Sequence, residues 1–318
     1  MKALLLTLII TFTLSLTSIS TAAEISLQVL GSGGPVADDA RASSGYVIGL
    51  PDGGYILIDA GGGVFQRFGE AGLNMDDLEF IGISHFHTDH SSDLPALMKS
   101  AYFGDRKRTL TIAGPSAAGK FPGLNDWLSA LFAPGKGAYA YLSGYIDGDA
   151  APFALLPIEV SIEATPAAKP IKFEAFSVLA IPVPHGPVPS LAYKVSIGEY
   201  NIVISGDQNL SESLFVEFVR NADLWVMPMP IPDGAGRIAR NLHATPSEIG
   251  KVAAQAGVKT LLVSHFMARS LADLDKNLAL IKTHYSGALL VAEDLKKWRF
   301  DLQSQQPAWL VTGSVPVN

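Results

Sequence analysis

Three of the chain's seven histidines fall within six residues, His85-Phe86-His87-Thr88-Asp89-His90. The apolar run Phe80 to Ser84 stands directly before them, so four lone-pair donors crowd the end of a predicted buried strand. Such a cluster costs desolvation free energy that a bound cation offsets. On a helix His85 and His87 point to nearly opposite sides, and on a regular strand the set does not converge. A tight loop after the strand lets all four meet. The spacing suits two neighbouring ions, with His85 and His87 facing one and Asp89 and His90 the other. Mixed nitrogen and oxygen ligands suit Zn²⁺ first, with Mn²⁺ and Fe²⁺ compatible. The competing reading is a polar surface loop that happens to be rich in histidine.

Elements that would position such a loop are legible around it. Short apolar runs stop at polar or glycine-rich loops, the pattern of strands buried on both faces. Ile25 to Leu30 leads into Gly31-Ser32-Gly33-Gly34-Pro35, and Tyr55 to Ile58 into Asp59-Ala60-Gly61-Gly62-Gly63. Further along, Phe176 to Val183 leads into Pro184-His185, Tyr200 to Ser205 into Gly206-Asp207, and Thr260 to Ser264 into His265. Ligands of open α/β sheets sit beyond the carboxyl ends of strands, so these ends are expected to share one site. Helical patterns cover residues 93–102, 210–220, 246–256 and 271–284. The third has a legible start, with Thr245 as N-cap, Pro246 in the first turn and Glu248 completing a capping box. His243 therefore sits in the loop just before a helix. Residues 104–170 differ in texture, being rich in Gly, Pro, Ala and aromatics. They read as an irregular insertion, either a lid or substrate wall or a segment with a small core of its own.

At 318 residues and 48% hydrophobic, the chain can bury a large core. Residues 1–23 read as a secretory signal peptide: Lys2, an apolar stretch from Ala3 to Leu16, and a small-residue exit at Thr21-Ala22-Ala23. Residues 24–318 are then a single domain carrying the insertion, exported to the periplasm or beyond the cell, with no stable membrane association after cleavage. With no cysteine there is no thiolate ligand and no disulfide. The formal charge of −7 disfavours polyanionic partners, and the lone basic cluster, Arg106-Lys107-Arg108, reads as a solvated loop. A small-molecule substrate and no nucleic acid are expected; the oligomeric state stays open.

His185 precedes Gly186-Pro187-Val188-Pro189-Ser190-Leu191-Ala192-Tyr193, Asp207 closes Ile204-Ser205-Gly206-Asp207, and His265 closes Leu261-Leu262-Val263-Ser264-His265. Together with Asp59 and the histidine cluster, these resemble the five ordered motifs of the metallo-β-lactamase superfamily over roughly residues 25–295. The resemblance implies a four-layer αββα sandwich of the α/β class. It implies that His85, His87 and His185 hold one metal ion and Asp89, His90 and His265 the other, with Asp207 bridging both. Asp59 matches a residue that steadies a histidine or the metal-bound water from behind. Leu30 to Pro35 followed by Arg41-Ala42-Ser43-Ser44, and His243-Ala244-Thr245 before the helix, look like the ribonuclease Z and phosphodiesterase branch. His243 thereby inherits a proposed role at the leaving group or a phosphoryl oxygen. One departure is plain: that branch places a glutamate after its Ala-Asp-Leu to orient this histidine, whereas here the chain reads Ala222-Asp223-Leu224-Trp225-Val226-Met227-Pro228-Met229-Pro230.

Two dications a few ångströms apart share one water and lower its pKa from ~15.7 towards ~7, supplying a bridging hydroxide as nucleophile. The expected function is an exported binuclear metal-dependent hydrolase acting on a small phosphodiester, with Asp89 orienting the nucleophile and His243 assisting the departing group. The same metals serve an arylsulfatase, a lactonase or a β-lactamase. A different class, a non-hydrolytic di-metal binding or redox protein, is the remaining alternative.

Overall fold

A computed structural model describes residues 24–149, 151–163, 169–301 and 309–312. The predicted leader, residues 1–23, lies outside them. The strands are β1 (Glu24–Gly31), β2 (Gly45–Gly49), β3 (Tyr55–Ile58), β4 (Leu78–Gly82), β5 (Leu110–Pro115), β6 (Leu155–Val160), β7 (Ile171–Lys172), β8 (Ser177–His185), β9 (Val188–Ile197), β10 (Tyr200–Ile204), β11 (Leu224–Pro228), β12 (Thr260–Ser264), β13 (Ala288–Val291), β14 (Lys297–Asp301) and β15 (Trp309–Thr312). They form an eight-stranded sheet in the order β15-β14-β1-β2-β3-β4-β5-β6 and a seven-stranded sheet in the order β13-β12-β11-β10-β9-β8-β7. Both sheets are mixed: β3 to β6 run parallel in one and β10 to β13 in the other, while hairpins complete each sheet.

The helices are α1 (Val64–Glu70), α2 (Thr88–Ser91), α3 (Leu94–Ala101), α4 (Leu124–Phe132), α5 (Gly144–Asp147), α6 (Leu214–Phe218), α7 (Arg237–Leu242), α8 (Pro246–Gln255), α9 (Ala268–Leu271) and α10 (Leu274–Lys282). Alternation along the strands explains the layering, because neighbouring side chains point to opposite faces. In β2, Tyr46 and Ile48 join Val195, Ile202 and Val226 in the core between the sheets, whereas Val47 joins Val64, Leu97 and Leu128 beneath α1, α3 and α4. Ile249, Ala253 and Ile281 bring α8 and α10 onto the second sheet. The result is the predicted α/β sandwich. Among the described residues no helix is long and apolar enough to cross a membrane.

Residues 104–170 depart from the expected irregular insertion. They supply β5 and β6 to the first sheet, and Phe132 and Tyr145 are buried in the core that α3 shares. Tyr145 donates its hydroxyl to the Met98 carbonyl at 2.8 Å. Pro157 and the exposed Glu159 interrupt β6, so this edge strand does not read as a continuous apolar run. Arg106 is also not solvated. It is buried, and its guanidinium donates to the carbonyls of Asp76, Leu78, Arg108 and Thr109, tying the loop to β4. The helix expected at 210–220 shrinks to α6, because Leu210 adopts φ 59° and Ser211 N–H donates to Asn209 Oδ1, forming an Asx turn instead.

Candidate metal centre

His85 and His87 follow β4, Asp89 and His90 lie in the single turn of α2, His185 closes β8, Asp59, Asp207 and His265 follow β3, β10 and β12, and His243 sits between α7 and α8; the strand ends deliver sharp turns. Asp59 after β3 and His265 after β12 adopt left-handed backbones with φ 64° and 54°, and Gly206 after β10 has φ 58°. A non-glycine residue in that region costs on the order of 1–3 kcal/mol, strain that gathers at functional sites. A Cβ on Gly206 would lie 2.4 Å from the Leu191 carbonyl oxygen, so only glycine fits the turn that presents Asp207. At Gly61 a Cβ would meet the Asp89 carbonyl oxygen at 2.1 Å, which lets the loop after β3 press against the histidine loop. Leu191 N–H donates to the Ser84 carbonyl at 2.9 Å, joining the two sheets at this edge. Tyr193 O–H to Ile83 O (2.9 Å), Tyr46 O–H to Ser264 Oγ (2.8 Å) and Trp225 Nε1–H to Ser205 Oγ (2.5 Å) anchor three of the strand ends from below.

The side chains meet in two groups. Ligand atoms of His85, His87 and His185 lie within 4.8 Å of one another, as do those of Asp89, His90 and His265. Asp207 forms compact groups with His85 and His90 and with His185 and His243. One carboxylate oxygen, Oδ2, stands 3.6 Å from His90 Nε2 and 3.8 Å from both His185 Nε2 and His243 Nδ1, while Oδ1 stands 3.4 Å from His265 Nε2. Asp207 thus faces both groups, the position a shared ligand needs. All these residues are buried except the half-buried His87.

Outer hydrogen bonds aim the imidazoles. His90 Nδ1 meets Asp59 Oδ2 at 2.8 Å, His185 Nδ1 meets the Leu242 carbonyl at 2.9 Å, and His85 Nδ1 meets Ser84 Oγ at 3.1 Å. Each bond leaves Nε2 pointing inward, the arrangement by which a second partner fixes tautomer and ring direction in metal-ligating histidines. Ser84 was not among the residues singled out from sequence. Its N–H and Oγ–H both donate to Asp59, at 2.7 and 2.9 Å, so one serine couples Asp59 to His85. A small hydroxyl residue immediately before the cluster is the only trace of this in the sequence.

Without a cation the centre is electrostatically frustrated. Burial pushes the His85 imidazole well below its usual range, and neighbouring His90 and His185 lower it further. Burial also opposes charge on His90, yet Asp207, Asp89 and Asp59 outweigh it and hold that ring well above its usual range; His265 is raised in the same way by Asp207 and Asp89. Burial would raise the Asp89 carboxyl, but His90 and His265 bring it down to about 2. His185 Nε2 and Asp207 Oδ1 are buried with no hydrogen-bond partner, and His90 and His265 present their Nε2 atoms to each other at 3.1 Å. Orphaned acceptors facing a common focus are costly in a protein interior. Six imidazole and carboxylate donors in two triads, with Asp207 between them, therefore fit a pair of divalent cations, and nitrogen with oxygen ligands suits zinc.

His243 stands beside this centre. Burial lowers it to about 4, with Asp207 partly opposing, and its Nδ1 has no hydrogen-bond partner. Among the described residues no carboxylate hydrogen-bonds to it, in line with the missing glutamate. Asp233, the nearby acid of that loop, instead accepts from Ser247 N–H and Oγ–H.

A fold of two mixed sheets with a histidine and aspartate centre at their carboxyl edge defines a metallohydrolase class, and sequence comparison agrees. Residues 55–266 match the model of the β-lactamase superfamily domain, and the chain belongs to the metallo-β-lactamase superfamily, in its ribonuclease Z and phosphodiesterase branch. Ribonuclease Z of Methanosarcina acetivorans is 28% identical over 295 residues, covering 85% of this chain and 96% of that protein. Among solved structures, the metallo-β-lactamase fold protein YhfI from Bacillus subtilis aligns with a TM-score of 0.66 at 22% identity, over 87% of this chain and 99% of that one. Human tRNase Z, short form, aligns with a TM-score of 0.65 at 21% identity, over 86% and 98%.

These relatives correct one expectation. A small-molecule substrate and no nucleic-acid partner were inferred from net charge, yet two of these three similar proteins, ribonuclease Z and tRNase Z, are ribonucleases. Net charge counts charges without placing them, and several of the acids sit within the fold rather than on a face a substrate would meet. Asp59, Asp89 and Asp207 are buried in the centre, and Asp76, Asp93, Asp294 and Glu248 are spent on backbone N–H groups.

Proposed function

We propose that the chain is a two-metal phosphodiesterase whose substrates include the phosphodiester bonds of RNA. His243 is the observation that carries this reading: a buried imidazole outside both triads, 3.8 Å from Asp207, with Nδ1 turned to the centre. The RNA component rests on the ribonuclease relatives. A pair of divalent cations bound there supplies Lewis acidity and a water acidic enough to yield a nucleophile near neutral pH.

The chain's own residues do the rest. His85, His87 and His185 would hold one ion and Asp89, His90 and His265 the other, with Asp207 placed to serve both. Asp89 and Asp207, both acceptors, orient the attacking water. Ser84 and Asp59 keep His85 and His90 aimed. His243 is neutral in the free protein, and an anionic phosphoryl oxygen placed beside it favours the imidazolium form. The proton taken up with the substrate is then delivered through Nδ1 to the departing oxygen.

Leaving-group chemistry tests this. An RNA ester expels an alkoxide that needs a proton, whereas bis-p-nitrophenyl phosphate expels a stable phenolate. Zinc-loaded wild type is expected to cleave both. His243→Ala is expected to lose about 10²-fold or more in kcat on an oligoribonucleotide and far less on the nitrophenyl ester. Equal activity of the two proteins on RNA would remove the role from His243, and no metal-dependent cleavage of either ester by wild type would remove the function.

A further inference from the structure

Beside the centre lies a cleft of about 480 Å³ that the chemistry above does not use, lined by Asn209, Ser211, Arg237, Arg240, Asn241 and Glu248. We propose that it binds the nucleotide flanking the scissile bond, with Arg237 and Arg240 taking that nucleotide's phosphate. The proposal rests on the phosphodiesterase reading and adds to it a substrate longer than one ester.

Position comes first. Asn209 is two residues beyond Asp207 and Asn241 two before His243, each within ~8 Å along the backbone. Hydrogen bonds to backbone carbonyls tie the lining of the cleft to the segments that carry the centre. Asn209 N–H donates to the Pro184 carbonyl at 3.0 Å, beside His185, and Asn209 Nδ2–H donates to the Asn241 carbonyl at 2.8 Å. Leu242, the next residue, accepts from His185.

Charge comes second. Among the described residues the exposed Arg237 side chain makes no hydrogen bond or ion pair, so a full guanidinium fork is free for an anion. Arg240 is held differently. Its Nη2 donates to Glu248 Oε1 at 2.9 Å, while Glu248 Oε2 accepts from Thr245 N–H and Oγ–H in the capping box of α8. The box that starts the helix after His243 thereby positions Arg240, which offsets the one acid in the cleft. The lining carries a net positive charge in a chain of formal charge −7. The Asn241 amide and Ser211 hydroxyl make no side-chain hydrogen bond among the described residues, leaving them for sugar and base edges. The volume lies within the ~300–1,000 Å³ of small-ligand clefts, so one nucleotide is an appropriate occupant.

The test compares metal-loaded wild type, Arg237→Ala and Arg237→Lys on two substrates. Arg237→Ala is expected to raise KM for a trinucleotide about 5- to 10-fold, to affect kcat/KM for bis-p-nitrophenyl phosphate by a clearly smaller factor, and to reduce the salt slope of trinucleotide binding by about one. Arg237→Lys is expected to restore the salt slope and only part of the affinity, since a point charge lacks the fork. An unchanged KM for the trinucleotide, or an equal loss on both substrates, would overturn the subsite. Binding of a fluorescent phosphorothioate trinucleotide, followed by anisotropy, judges the cleft without turnover. If wild type cleaves neither ester, the phosphodiesterase reading fails, yet weaker trinucleotide binding by Arg237→Ala still supports the cleft. Equal binding by both proteins, or none by either, overturns it.

Discussion

Ser84 shows how a residue with no metal-binding atom of its own controls a metal centre. Its two donors saturate one side of Asp59, and its hydroxyl oxygen meets His85 Nδ1, so removing the hydroxyl frees two rings at once. Ser84→Ala is expected to weaken the tighter-bound ion about 10- to 100-fold, as loss of outer partners does in related centres, with the folded baseline unchanged by circular dichroism. A competition titration against a zinc chelator reads this directly, and unaltered affinity would show that His85 needs no such support. At this scale the sequence was most informative about residues that advertise themselves. A run of three histidines and an aspartate is improbable without a cation. Ser84 is invisible for the opposite reason: serine before a loop is ordinary, and only the fold shows which carboxylate it meets.

Turns rather than strands decide whether the centre forms. Gly206 leaves β10 with φ 58° against the Leu191 carbonyl, and the next residue is Asp207. Gly206→Ala adds both a left-handed strain and a clash with backbone, so a loss of more than ~1 kcal/mol in urea unfolding is expected. A matched loss of metal affinity should accompany it, because Asp207 must shift. Stability and affinity equal to wild type would mean that the turn relaxes at no cost. Strand ends were readable in advance because parallel strands buried on both faces leave continuous apolar runs. β6 was not, since a short edge strand broken by Pro157 and Glu159 resembles a loop. Local turn chemistry at Asn209 likewise overrode the helical pattern that began at Leu210.

Across the whole molecule, the cations and the protons on the centre are alternatives. His90 and His265 have folded values above the unfolded ~6.5, so their contribution to stability is complete below that pH and is lost as pH rises through the folded values. His85 and His243 have folded values below it, so the unfolded chain takes up their protons first and stability falls as pH drops under ~6.5, for His243 down to about 4. Chelator-treated protein should therefore lose Tm in both directions from neutrality. Metal-loaded protein should lose it only on the acid side, because cations replace the protons of His90 and His265. Thermal scans from about pH 5 to 9, with and without chelator, check the difference. What composition could not convey at this scale was the distribution of charge: buried and capping carboxylates made an acidic total that said little about the surface beside the centre. Two cations held together by Asp207 underlie every role assigned to the centre. Elemental analysis of the purified chain after zinc dialysis is the most direct measurement. It should give two zinc ions per chain for wild type and at most one for Asp207→Ala; fewer than one zinc per wild-type chain, or two in the variant, would contradict the paired centre.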